Sequence, residues 1–357
     1  MRYVPANCLR EGQILASDLV MEGKKVMLRK GVKLSSILIN RICQLGFQGV
    51  YIIDDLSKDL EVASVISDAL KYKAKADIQS LFINVQSKSE SKASNQFDII
   101  SRVITDIVDE ILYNRKLMVN VVDLRTFDDY TFSHSVNVAV LSAVMGTVLG
   151  LTRSRLHELA MGALIHDIGK VFIDKKVMNK PGRLNAEEFE EMKKHSQKGY
   201  EYLRKHSKVS EASLKVVLLH HEQYNGNGYP FGYSGEQIDF FARIVNVADV
   251  YDALISDRPY RRAMLPSDAM EYIMGGYGST FDPKVVKAFT RKVAPYPIGT
   301  CVKLSNGIVG IVVQNYELSC LRPKIRIIHE GQPTGEFLDL TSDSATLNMT
   351  IKEIVQM

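Results

Sequence analysis

The sequence predicts a mainly α-helical protein, with one all-helical central domain between a small N-terminal α+β module and a small C-terminal β unit. Three observations point there. From Phe97 to about Val293 apolar residues recur at helical spacing, with loops rich in Gly, Pro and Asn. The stretch before residue 56 and the tail after Pro295-Tyr-Pro297 instead carry short alternating runs punctuated by glycine. At 357 residues the chain is also longer than one core usually serves, so two or three units are expected.

In chain order, residues 1–56 combine β-like runs (Val26-Met-Leu28, Gly49–Ile53) with a helical patch from Ser35 to Leu45, an accessory α+β module. Residues 57–120 read as a helical connector, interrupted over 86–96 by a polar, apolar-poor run expected to be a flexible loop. Residues 121–294 form the helical domain. Its longest apolar stretch, Val136 to Leu151, is interrupted by Asn137 and Ser142 and falls short of the roughly 20 residues that span a bilayer, so a buried core helix is expected. Residues 295–357 alternate and turn, and Asn306-Gly307 marks a hairpin. There is no internal repeat.

Composition excludes several classes. With 46% hydrophobic and 24% charged residues the chain reads as globular, and its net charge of +4, from 45 basic and 41 acidic residues, is too small to advertise binding to a nucleic-acid polymer. Cys8, Cys43, Cys301 and Cys320 form no CxxC pair, which argues for reduced thiols in a cytoplasmic protein. The N-terminal residues offer no signal-peptide core.

The chemistry lies in polar residues on faces that should be buried. In the helix expected over 153–167, Leu156, Leu159, Ala160, Ala163 and Leu164 keep helical spacing, and His166 falls three residues after Ala163, beside Asp167. Gly169 reads as the residue that ends this helix and leaves Lys170 just past it. His134 opens a face continued by Val138, Leu141 and Met145. Asn185 with Glu188 is a capping signature, and the helix it starts carries Phe189, Met192 and His195 inward. Leu214, Val217, Leu218 and His221 make a fourth face, with His220 beside it. Phe241, Val245, Ala248 and Asp252 share a stripe bordered by Asp249.

Five of the eight histidines thus converge with three aspartates, while His157, His206 and His329 lie on polar stretches and need no such role. Burying these groups is costly unless a metal or a partner satisfies them. A thiolate-free His/Asp set suits iron, manganese, nickel or zinc. Such a set exceeds what one tetrahedral ion needs, whereas two ions about 3.5 to 4 Å apart form a clamp for in-line attack on phosphorus. The run Asp257-Arg-Pro-Tyr-Arg-Arg262 supplies guanidinium forks suited to phosphate oxygens.

Taken together, His134-Ser, His166-Asp-Ile-Gly-Lys170, Lys180-Pro-Gly, His195, His220-His-Glu222, Asn225-Gly-Asn-Gly-Tyr-Pro230 and Ala248-Asp-Val-Tyr-Asp252 through Arg258-Pro-Tyr-Arg261 resemble the HD-GYP branch of the HD phosphohydrolase superfamily. The resemblance covers about residues 121–294. It implies an all-helical HD-type catalytic domain, a centre of two divalent ions, often iron, and hydrolysis of cyclic di-GMP to linear pGpG and in some members on to GMP. It also implies His166, Asp167, His195, His220, His221 and Asp249 as ligands, with Asp167 as the bridge. His134 matches a ligand found mainly in members with a third metal; those members have a Glu four residues earlier, where this chain has Tyr130, so two ions are expected. Lys170, Tyr229, Arg258 and Arg261 match substrate-holding positions, and Asp252 matches a residue that orients the metal shell. Asp167, Lys170 and Asp252 are thereby the expected catalytic group. Asn225 stands where Asp is common.

Another cyclic dinucleotide, such as cyclic GMP-AMP, is an alternative substrate, and a cyclic di-GMP receptor without turnover is an alternative function. A helical interaction domain with structural histidines is the blandest reading. The end modules are expected to regulate, through a signalling protein or a second copy of the chain, with no role for a membrane.

Overall fold

The computed structural model describes residues 1–21, 25–45, 47, 49–87, 90–120, 130–180, 182–256 and 263–355. The chain divides into two compact units. One is built from Met1–Ser64, Met118–Asp128 and Val293–Met357, the other from Val65–Leu117 and Asp129–Lys292.

The first unit opens with strands β1 (Arg2–Pro5), β2 (Ile14–Leu15), β3 (Leu19–Met21) and β4 (Lys25–Leu28), helix α1 (Ser36–Gln44) and strand β5 (Gly49–Ile53). Strands β1, β5 and β2 form an antiparallel sheet, and β3 pairs with β4. Ile42 of α1 packs with Leu15, Leu34, Val50 and Ile52 in a closed apolar cluster. Two short strands follow, β6 (Val119–Asn120) and β7 (Val293–Ala294), which pair in parallel with Val119 opposite Val293. The remaining strands are β8 (Cys301–Leu304), β9 (Val309–Gln314), β10 (Lys324–His329), β11 (Gln332–Asp339) and β12 (Ile351–Ile354), in the antiparallel order β11-β10-β9-β8-β12. The hairpin expected at Asn306-Gly307 joins β8 to β9, with Gly307 at φ +89°, where a side chain would be strained.

The two ends of the sequence share this unit. Leu56 packs with Cys301, Ile311 and Ile328. Arg326 donates to both carboxylate oxygens of Asp59, at 2.5 and 3.1 Å, and to the carbonyl of Leu56 at 2.6 Å.

The second unit is helical: α2 (Asp68–Gln86), α3 (Glu90–Tyr113), α4 (Tyr130–Val148), α5 (Arg153–Leu164), α6 (Lys175–Met178), α7 (Ala186–His206), α8 (Glu211–Leu219), α9 (Phe240–Ile255), α10 (Pro266–Gly275) and α11 (Pro283–Lys292). Helix α4 lies at its centre against α2, α5, α9 and α11. Every residue from Ser133 to Met145 is buried, as the apolar run predicts. Among the described residues no helix is long and apolar enough to cross a membrane.

Side chains set the helix starts. Asn185 and Glu188 form the expected capping box on α7, with bonds of 2.8 and 2.7 Å, and Thr152, Ser210 and Asp239 cap α5, α8 and α9. Two local expectations are corrected. The polar run 86–96 is not a loop throughout, because α2 extends to Gln86 and α3 begins at Glu90. Lys, Glu, Ala and Gln in this run are good helix formers, which a reading by polarity alone does not register. Helix α5 ends at Leu164, not near 167, and Ile168–Phe172 form a short 3-10 helix that contains Lys170.

Candidate functional site

Five helices, α4, α5, α7, α8 and α9, and the 3-10 segment that carries Lys170 bring the expected polar residues of the second unit together. His134 comes from α4, His195 from α7, Asp249 and Asp252 from α9, His166 and Asp167 from the end of α5, and His220 and His221 from the end of α8. His134, His166, Asp167, His195, His220, Asp249 and Asp252 are all buried, and His221 is a quarter exposed.

The local fold aims each imidazole. Nδ1–H of His166 donates to the carbonyl of Ala163 at 2.7 Å, that of His195 to Met192 at 2.7 Å, and that of His220 to Val217 at 3.0 Å. A carbonyl only accepts, so these bonds leave a lone pair on each Nε2. The lone pairs converge. Nε2 of His195 faces Nε2 of His220 at 3.4 Å, and Nε2 of His166 and Oδ1 of Asp167 are buried without a hydrogen-bond partner.

Acceptors facing one another in a buried space repel, and a cation among them reverses the sign of the interaction. The donor set therefore fits a metal. Two overlapping groups have ligand atoms close enough to share an ion: Asp167, His195, His220 and His221, and His134, His166 and Asp167. Asp167 belongs to both.

Protonation agrees with that chemistry, since a metal requires neutral imidazole and ionised carboxylate. Burial lowers His195 to about 4 and His221 to about 3, and lowers His220 as well. Burial alone would raise Asp167, but Lys170 and His166 hold it well below the usual carboxylate range. Asp249 is likewise held low against burial, by His134 and then His221. His134 behaves differently. Burial works against its protonated form, yet hydrogen bonds to Asp249 and Asp252 raise it to about 9.

Around this cluster sit residues that hold it. His134 reaches Asp252 Oδ2 through Nδ1 at 2.7 Å and Asp249 Oδ1 through Nε2 at 3.1 Å. Asn137 donates to the other oxygen of Asp252 at 2.9 Å, and Asn246 donates to the carbonyl of His220 at 2.9 Å. The Lys170 ammonium lies 2.5 Å from Asp167 Oδ2. Tyr229 stacks on His221, with centroids 4.6 Å apart and an interplanar angle of 27°. Its loop hangs on buried Glu222, which accepts from the backbone N–H of Phe231 at 2.7 Å and of Tyr233 at 3.1 Å.

Gly169 does not end α5 as a left-handed cap. A Cβ there would lie 1.8 Å from the His195 carbonyl, so the glycine is a close approach that lets the Lys170 segment touch α7. Phe189, expected to face inward with His195, is 47% exposed, because six residues of helix at about 100° each set it roughly 120° around α7 from His195.

Arg258 and Arg261 lie outside the described residues. The histidines set aside stay apart: His157 bonds the carbonyl of Ser101 at 3.0 Å, His206 stacks on Tyr202, and His329 is exposed. Arg243, on the same helix as Asp249 and Asp252, pairs with Asp282 at 2.6 Å.

Asn137, Asn246 and Glu222 were not singled out from sequence. Asn137 had a usable signal, a polar residue three places after His134 inside an apolar run. Asn246 carries none that separates it from ordinary polar residues, and Glu222 stood in the His220-His-Glu222 motif without a role of its own.

A helical domain thus gathers imidazoles and carboxylates from several helices around one shared aspartate, in an arrangement able to hold metal ions. Residues 115–285 match the HD domain family. It is 34% identical over 260 residues to a cyclic di-GMP phosphodiesterase of Pseudomonas aeruginosa, covering 73% of this chain and 62% of that protein. It is 42% identical over 155 residues to a response-regulator cyclic di-GMP phosphodiesterase of Xanthomonas campestris, covering 42% of this chain and 41% of the relative. A 3'3'-cGAMP-specific phosphodiesterase of Vibrio cholerae is 37% identical over 173 residues, covering 46% of this chain and 37% of the relative. The match spans less than two thirds of the length of each of these relatives. An HDG"Y"P protein of Bdellovibrio bacteriovorus shares the fold, at a TM-score of 0.51 and 18% identity, covering 80% of this chain and 97% of that one.

Proposed function

We propose that this chain is a metal-dependent phosphodiesterase that hydrolyses cyclic di-GMP to linear pGpG, with GMP as a further product. The observation that supports this most is the convergence of acceptors on Asp167: unpartnered His166 Nε2 and Asp167 Oδ1, and the facing Nε2 atoms of His195 and His220. His166, Asp167, His195, His220, His221 and Asp249 would hold two divalent ions, iron first, with manganese, nickel or zinc as substitutes; His134 would become a ligand only with a third ion. Such ions, when bound, lower the pKa of a water and polarise a phosphate oxygen.

The chain's own groups do the rest. Asp167, in reach of both ligand groups, holds the site together as one centre. Lys170, a quarter exposed beside Asp167, offers an ammonium to the negative charge that grows on the phosphate during attack. Asp252 positions His134 and, through it, the neighbouring carboxylate Asp249. Tyr229 closes the His221 side of the site against water. Arg258 and Arg261 are proposed to grip the phosphates, on the strength of the sequence motif alone.

The test is anaerobic hydrolysis of cyclic di-GMP by protein of known metal content, with chromatography of the products. Turnover that vanishes on chelation and returns with iron or manganese supports the reading. A fully metallated protein that leaves the nucleotide intact overturns it. A second substrate, cyclic GMP-AMP, is favoured by the Vibrio cholerae relative named for it, and the same assay with that nucleotide decides between them. Tight binding without turnover under any first-row metal would leave a receptor.

A further inference from the structure

On α7, Met192 and Phe189 precede His195 by three and six residues and turn step by step around the helix from the cluster toward solvent. Exposure along it rises from 1% at His195 to 47% at Phe189. A single exposed phenylalanine is ordinary; its surroundings here are not. The Phe189 ring stands edge to face against Tyr229, with centroids 6.4 Å apart, and Tyr229 stacks on His221 at 4.6 Å. A file of rings thus leads from a proposed metal ligand to solvent. The Lys193 ammonium lies 4.9 Å from the centre of the Phe189 ring and 5.7 Å from that of Tyr229, tethered to Glu190 at 2.6 Å.

We infer that Phe189 is the shelf on which a nucleobase of the substrate stacks, and that Lys193 reads the edge of that base. The inference rests on the phosphodiesterase reading above and adds a specificity element to it. A phosphate held at the histidine cluster places its attached base one nucleotide away, the direction in which the rings run. An aromatic face accepts any base, and with the Lys193 ammonium over one face of Phe189 the base stacks on the other. The Lys193 ammonium only donates. Guanine presents two acceptors on its outer edge, O6 and N7, whereas adenine presents one acceptor and a donating amino group, so the pair favours guanine.

The experiment compares wild type with Phe189→Leu, Phe189→Tyr and Lys193→Met, each metallated and of verified metal content. Phe189→Leu should raise the KM for cyclic di-GMP about 5- to 100-fold, the effect of removing one stacked base, with kcat within about 2-fold. Phe189→Tyr should restore the wild-type KM. Lys193→Met should narrow the preference for cyclic di-GMP over cyclic di-AMP, read by competition, by roughly 5-fold. An unchanged KM in Phe189→Leu overturns the shelf, as does a fall in kcat accompanied by metal loss, which is the mark of a structural role. If wild type binds cyclic di-GMP without hydrolysing it, the phosphodiesterase reading fails, and the affinities of the same variants still decide the shelf. If wild type binds no cyclic dinucleotide, both fail.

Discussion

The His134 imidazole donates from Nδ1 to Asp252 Oδ2 at 2.7 Å, which ties α4 to α9 in the middle of the candidate centre. The bond sets which nitrogen of His134 faces Asp249, and Asn137 holds Asp252 from the other side. Removal of the carboxylate should therefore loosen the site without touching any of the six proposed ligands. Asp252→Ala is expected to weaken metal binding by about 10- to 100-fold, measured by competition with a chelator. Unaltered metal affinity and turnover would show that Asp252 is not a positioning residue.

Asp167 is the residue shared by both ligand groups. Asp167→Ala should lose bound metal and turnover together, by elemental analysis and product chromatography on the same sample. Full metal content with normal turnover would refute the assignment.

Gly169→Ala tests the close approach of the Lys170 segment to α7. The new Cβ would collide with backbone rather than with a flexible side chain, so the two elements must separate. A loss of about 1–3 kcal/mol is expected, seen as a lower Tm together with weaker metal binding. A variant as stable as wild type would mean that the segment moves aside at little cost.

Arg326 is buried while its partner Asp59 is more than half exposed, so their ion pair contributes little by itself. The larger effect of Arg326→Met should come from the Leu56 carbonyl left without its donor, about 1–3 kcal/mol. Denaturant unfolding read from a probe in the first unit measures it. No change in stability would mean that the carbonyl finds another partner.

The candidate site was legible because it violates helical patterning. Histidine and aspartate at positions reserved for apolar residues stand out in His166-Asp167, His220-His221 and Asp249, and the structure brings these together. The residues that hold them were less visible. Asn137 looked like a mere interruption of an apolar run, and Gly169 looked like a helix stop, since a glycine required by a neighbour 26 residues later cannot be told locally from one required by its own φ. The polar run before Phe97 misled for a related reason: composition reports polarity, and a polar helix shares it with a loop. The partnership of the chain's two ends could not be read at all, because the residues that make it, Asp59 and Arg326, lie 267 positions apart with no local signature.

The parallel pair of β6 with β7 bears on how such a protein could be rearranged. Val119 precedes the helices that carry every proposed ligand and Val293 follows them, yet the two sit side by side in one ladder. The stretch between them therefore begins and ends at adjacent backbone positions, yet α2 and α3, which pack on its helices α4 and α5, come from before β6, so any exchange of the ligand-bearing helices must carry those two with them.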